Sequence, residues 1–147
     1  MTMGKGKEQD TRFARFGVVS FTAVTKVNDF IGYLQEGKLM GTRCKRCGKL
    51  FFPPRADCFE CLSSDMEWFE VKGRGKLLSF AKLSYAPVGF EKVLPYTLGL
   101  LDFGDFKVFG WVSKDIPEEE LEVGMEMVPR VVRLEGDRLL YEFVKAS

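Results

Sequence analysis

The chain has 147 residues, 46% of them hydrophobic and 14% aromatic, enough for one ordinary domain or two small ones sharing a core. The net charge is only +1, and no apolar run reaches membrane-spanning length, so the sequence predicts no helical membrane span. It has no histidine and four cysteines, so histidine-based acid–base chemistry is excluded.

Residues 1–12 are charged and lack apolar periodicity, and read as disordered. Residues 1–10 do not resemble a secretion signal, which makes the cytoplasm the expected location. Residues 13–24 (FARFGVVSFTAV) are aromatic and β-branched. That composition predicts an extended arm, packed on this chain or on a partner through Phe13, Phe16 and Phe21. Asn28 is the expected cap of a short helix over 29–36. Phe30, Ile31, Tyr33 and Leu34 give that helix an apolar stripe, and Gly37 its stop.

A strand over 39–43 leads into two tight cysteine pairs, Cys44-x-x-Cys47 and Cys58-x-x-Cys61, ten residues apart. Each pair aims two thiolates at one centre, and the second closes a tetrahedral cage for a single metal ion. Two disulfides would need an oxidising compartment, and a redox pair would need one such motif, not two. Zinc is the expected ion, and iron fits the same cage. With four protein ligands the site is closed, so its role is structural, and no thiol remains as a nucleophile. The short gap implies a compact, rubredoxin-like hairpin.

From Trp68 onward the pattern turns to strands. Residues 72–85 alternate, with Leu77, Ser79, Ala81 and Leu83 on one face and Leu78, Phe80 and Lys82 on the other. Strands over 96–103 and 106–113 follow around a turn at Gly104. Residues 117–123 form a short helical turn with Pro117 first. A hairpin of 125–134 and 138–144 closes the chain. Five strands with a helical element between the third and fourth predict an OB-type barrel. The chain thus divides into an arm (1–27), a helix plus ribbon (28–67) and a barrel (68–147). Trp68 and Trp111 read as core anchors, and Glu118, Glu119 and Glu120 as a solvated face.

The combination resembles a specific family of small proteins that join a rubredoxin-like zinc ribbon to a C-terminal OB fold. The residues that carry the resemblance are Cys44-x-x-Cys47-Gly48, Phe52-Pro53-Pro54-Arg55, Cys58-x-x-Cys61, Glu67-Trp68, Gly73-Arg74-Gly75, Ser79-Phe80, Pro95-Tyr96 and Gly124-Met125. Phe59 stands where a proline is usual. The resemblance implies an accessory subunit that docks on a thiolase-superfamily enzyme and either forms part of its coenzyme A or acyl-CoA site or bridges it to the next enzyme of a pathway. It implies no turnover by this chain alone, and an active partner that needs it.

Two sets of residues are candidates for that role. Arg55 meets either a CoA phosphate, or a partner carboxylate, or the ribbon's own carbonyls. Lys72, Arg74 and Lys76, with Gly73 and Gly75, offer cations and amides to a CoA phosphate, or else form a solvated strand entrance with a bulge. Phe90, in the loop between the first two barrel strands, is a candidate partner contact along with Phe13, Phe16 and Phe21. A competing reading is a single-stranded nucleic-acid module with aromatic and basic side chains on the groove. Residues 38–82 carry a balance of +5, but residues 83–147 carry −5, which opposes that reading in the barrel half.

Overall fold

The computed structural model describes residues 9–18, 20, 25–85, 88–91 and 94–146. Phe21 and residues 1–8 lie outside these. The helix α1 (Asp29–Gln35) buries Phe30, Ile31 and Leu34, and Tyr33 lies at its edge against Trp68 with ring centroids 5.3 Å apart. Asn28 does not cap it with its side chain; its amide instead donates to the Thr25 carbonyl. Gly37 ends the helix at φ 82°, a left-handed conformation that glycine adopts freely.

The ribbon is a three-stranded antiparallel sheet in the order β2-β1-β3. Its strands are β1 (Met40–Cys44), β2 (Leu50–Phe51) and β3 (Met66–Glu70). Thr42 fastens the central strand to the segment after it. Its hydroxyl donates to the Arg55 carbonyl and accepts from the Arg55 amide, both at 2.8 Å. Gly41 is required by close approach, since an added Cβ would lie 2.5 Å from the Phe51 carbonyl oxygen and 2.7 Å from the Phe69 ring.

The second sheet is a closed barrel in the order β4-β5-β6-β8-β7, with β6 and β8 parallel and the other pairs antiparallel. Its strands are β4 (Gly75–Leu83), β5 (Tyr96–Asp102), β6 (Lys107–Val112), β7 (Glu126–Leu134) and β8 (Arg138–Lys145). A 3-10 turn at Glu118–Glu120 lies between the third and fourth barrel strands. Its glutamates are exposed, and Glu118 and Glu120 pair with Lys82 and Lys145. This is the five-stranded OB architecture expected.

Three expectations are corrected. The alternation along β4 is broken by a bulge between Leu77 and Ser79, so Leu77 is buried, Ser79 and Ala81 are exposed, and Phe80 packs on the core. The arm begins as a 3-10 turn at Arg12–Arg15 and is not extended there. Phe16 then bridges to Leu139 of β8, and the Gly17 amide donates to the Leu139 carbonyl at 2.6 Å. Arg12 pairs with Asp29 of α1 at 2.7 Å. Trp111 is the third correction. Val108, Gly110 and Val112 alternate inward on β6, which leaves Phe109 and Trp111 on the outer face.

One apolar core unites the two parts. Phe30, Ile31, Leu34 and Leu39 from the helix and ribbon side pack with Leu77, Leu101, Met127 and Phe143 from the barrel. A second, small cluster of Cys44, Phe51 and Cys58 belongs to the ribbon alone.

Candidate metal centre and binding surfaces

Two turns of the ribbon bring the four cysteines together. All four Sγ atoms lie within 4.8 Å of one another. Cys44 and Cys61 are 3.4 Å apart at sulfur, and Cys47 and Cys58 are 3.5 Å apart. A disulfide requires about 2.05 Å, so these sulfurs are not bonded to each other. Thiolates about 2.3 Å from a central zinc stand about 3.8 Å apart, so the donor set fits a tetrahedral ion. Cys44 and Cys58 are buried, Cys61 is half-buried, and Cys47 faces solvent.

The four sulfurs shift one another's protonation. The Cys47 amide, 3.5 Å from the Cys44 sulfur, is the main influence lowering that thiol to about 6. Cys47 moves the other way, to about 12. The Lys49 amide favours its thiolate, but desolvation and the three neighbouring sulfurs outweigh it. Four thiolates this close cannot all ionise unless a positive ion holds them. Such an ion is fully coordinated by protein, so its role is to hold the fold and not to activate a substrate.

The cations assigned to phosphate recognition fall into two places. The Arg55 guanidinium lies over the rings of Phe51 and Phe59, at 5.8 and 5.3 Å, beside the metal site. Lys72 pairs with Glu70 at 3.4 Å, and Arg74 pairs with Glu126 at 2.9 Å where β7 begins. Lys76 is exposed on β4. The bulge of β4 falls between Leu77 and Ser79, past the Gly73-Arg74-Gly75 segment. Gly73 is left-handed at φ 84°, and Gly75 lets the Phe103 ring approach to 2.8 Å of where a Cβ would be.

The aromatic candidates also separate. Phe13 and Phe16 pack on Phe30, with centroids 6.0 and 5.5 Å away, and both are half-buried. Phe16 and Phe90 both line an apolar groove on the outer barrel face. Phe109, Trp111, Leu98 and Leu140 are among the other residues that line this cavity of about 220 Å³. Trp111 stacks on Tyr96 at 4.8 Å and 16°, and Phe90 tilts against both at 6.4 Å. Phe109 is 55% exposed. The Tyr141 hydroxyl donates to the Phe109 carbonyl, and the rings crowded round it hold its ionisation above the usual tyrosine range. The sequence reading places Trp111 in the core and assigns Phe109 no role, whereas both line this outer groove. The signal for them was the inward alternation of Val108, Gly110 and Val112.

Comparison with known proteins agrees with this geometry. Residues 33–67 match the family model described as "ChsH2, rubredoxin-like zinc ribbon domain", and residues 68–140 match "ChsH2, C-terminal OB-fold domain". A "DUF35 domain-containing scaffold protein" of Pyrococcus furiosus is 34% identical over 69% of this chain and 75% of its own length. The "Benzoylsuccinyl-CoA thiolase subunit BbsA" of Geobacter metallireducens is 28% identical over 74% of this chain and 75% of its own. A solved structure titled "Ltp2-ChsH2(DUF35) aldolase" superposes with a TM-score of 0.70 and 25% identity, covering 86% of this chain and 99% of that one. Among the described residues no helix is long and apolar enough to cross a membrane.

Proposed function

The chain belongs to the ChsH2 family of zinc-ribbon and OB-fold proteins, and we propose on that premise that it is a non-catalytic accessory subunit of a thiolase-type acyl-CoA enzyme. The observation that carries this reading is that relatives matching most of the chain bear the names of a scaffold protein and a thiolase subunit. The sulfur inventory supports it. All four cysteines stand in one cage and the chain has no histidine, so the nucleophile and base of acyl transfer come from the partner. The ion is one structural zinc, and the setting is the cytoplasm.

In this reading the partner seats on the groove between Phe16 and Phe90, where Phe109 and Trp111 supply aromatic anchors of the kind that dominate interfaces. Phe13 supports Phe16 from behind. A CoA phosphate would meet Lys72, Arg74 and Lys76 at the mouth of β4, displacing exposed ion pairs that are each worth at most about 1 kcal/mol. Arg55 serves the same ligand or a partner carboxylate from the ribbon side.

An affinity pull-down of the tagged chain from its native host tests the assignment. The expected eluate contains a stoichiometric thiolase-superfamily enzyme and about one zinc per chain. Phe90→Asp is expected to weaken that capture about tenfold or more while leaving zinc content unchanged. An eluate rich in nucleic acid and free of such an enzyme would overturn the assignment in favour of a nucleic-acid module.

A further inference from the structure

The two metal turns follow one pattern. The Gly48 amide donates to the Cys44 carbonyl at 2.8 Å, and the Leu62 amide donates to the Cys58 carbonyl at 2.9 Å. The Cys44 amide donates to the Lys49 carbonyl and the Cys58 amide to the Ser63 carbonyl, both at 2.9 Å. Leu62 therefore occupies in the second turn the place that Gly48 occupies in the first. That place is left-handed, with φ 79° at Gly48 and 60° at Leu62. Glycine adopts it freely, whereas leucine is strained there by contact of Cβ with its own backbone.

Burial does not offset the strain. Leu62 is 83% exposed. Asp137, the other residue besides glycine found left-handed among the described residues, sits in a hairpin turn, where aspartate tolerates that geometry. A large apolar side chain held in a strained conformation and left in water does nothing for the isolated chain. Strain of this kind persists where it serves a function.

The neighbourhood indicates what that function is. Phe59, three residues earlier on the same turn, is 54% exposed. Its ring stands edge-on to buried Phe51 at 5.3 Å, with the Lys49 ammonium 4.3 Å and the Arg55 guanidinium 5.3 Å from its centroid. The metal cage fixes this turn, so its tip is preorganised and loses little freedom on binding. Beside the ring, Lys49 is paired with Glu60, whereas the Arg55 guanidinium forms no ion pair among the described residues and is left to meet a carboxylate from outside. We infer that Phe59 and Leu62 form a second docking point for the partner enzyme, seated in an apolar depression whose rim carries carboxylates. The inference rests on the accessory-subunit reading and adds the ribbon to the docking surface. It concerns a protein surface and not a nucleotide. Leu62 has no polar group to offer a ligand, and Lys49 is already paired with Glu60 at 2.9 Å.

The test uses the thiolase-superfamily enzyme captured by the unaltered chain, purified and titrated against zinc-loaded variants. Leu62→Gly relieves the backbone strain and removes the apolar tip. It is expected to slow chelator-driven zinc loss about fivefold and to weaken partner binding about tenfold. Leu62→Asn also suits the left-handed backbone, keeps the fold and should weaken binding similarly. Phe59→Ala should do the same with zinc retained. Unchanged partner affinity in zinc-loaded Leu62→Gly and Leu62→Asn would overturn the inference and leave the accessory reading intact. If the unaltered chain captures no such enzyme, the accessory reading fails and the inference falls with it.

Discussion

Cys44→Ser is expected to abolish metal binding and unfold the ribbon. Cys44 is fully buried, its sulfur is 3.4 Å from that of Cys61, and it ends the central strand of the ribbon sheet. A serine hydroxyl is a poor ligand for a zinc ion, and the other three thiols cannot close a tetrahedron. The metal end of the ribbon has little else to hold it, since Leu39, Phe52 and Phe69 pack on the main core at its other end. Its own apolar cluster consists of Cys44, Phe51 and Cys58, with Cys61 and Met66 at the margin, so most of that cluster is the cage. Structural zinc contributes about 10–16 kcal/mol of apparent binding energy at neutral pH in ribbon-like units, and that energy is folding energy. Metal analysis should fall from about one zinc per chain to near zero, and chelator should no longer shift the melting curve. The barrel's own core residues, Leu77, Leu101, Met127 and Phe143, are separate from this cluster, so barrel amide signals should persist. Full zinc content in the variant would show that Cys44 is not a ligand.

Phe143→Ala is expected to cost about 3–5 kcal/mol and lower the melting temperature well beyond 5 °C. Phe143 is wholly buried on β8, where it pairs with Pro129 on one side and Val112 on the other. Two glycines make room for it. A Cβ at Gly110 would lie 3.1 Å from its ring, and one at Gly99 would lie 3.6 Å from it. These two neighbours have no side chain to move into the space the ring leaves, and the cavity term adds to the lost transfer energy. Gly110→Ala in the unaltered chain should destabilise by overpacking, since the new methyl would sit 2.6 Å from the Tyr141 ring. In the Phe143→Ala background only part of that penalty should vanish, because the Tyr141 contact remains. Denaturant titration of the two single variants and the double variant measures this coupling.

The metal centre was legible in the sequence because spacing alone dictates it. Two C-x-x-C turns ten residues apart leave the chain few ways to satisfy four thiols. The barrel was legible because its strands alternate and are separated by Gly-containing turns. The departures occur where tertiary contacts decide. The bulge past Leu77 reverses the alternation of β4, and nothing in KGRGKLLSFAKLSY marks its position. Asn28 has the chemistry of a cap, but the chain turns at Thr25 and takes its side chain elsewhere. The arm's β-branched content predicts an extended segment, yet it begins as a 3-10 turn at Arg12–Arg15, with Arg12 paired to Asp10 and Asp29. Leu62 is the subtlest case. The signal was present, in that glycine follows the first C-x-x-C and leucine the second, but its meaning required the backbone angle.

The most direct test of the central claim is reconstitution. The purified thiolase-superfamily partner is assayed for acyl-CoA turnover alone, with the zinc-loaded chain, and with Cys44→Ser, while the chain is also assayed by itself. An accessory subunit predicts turnover only when partner and intact chain are combined, none from the chain alone, and loss of activity with Cys44→Ser. Full activity of the partner without the chain would contradict the account.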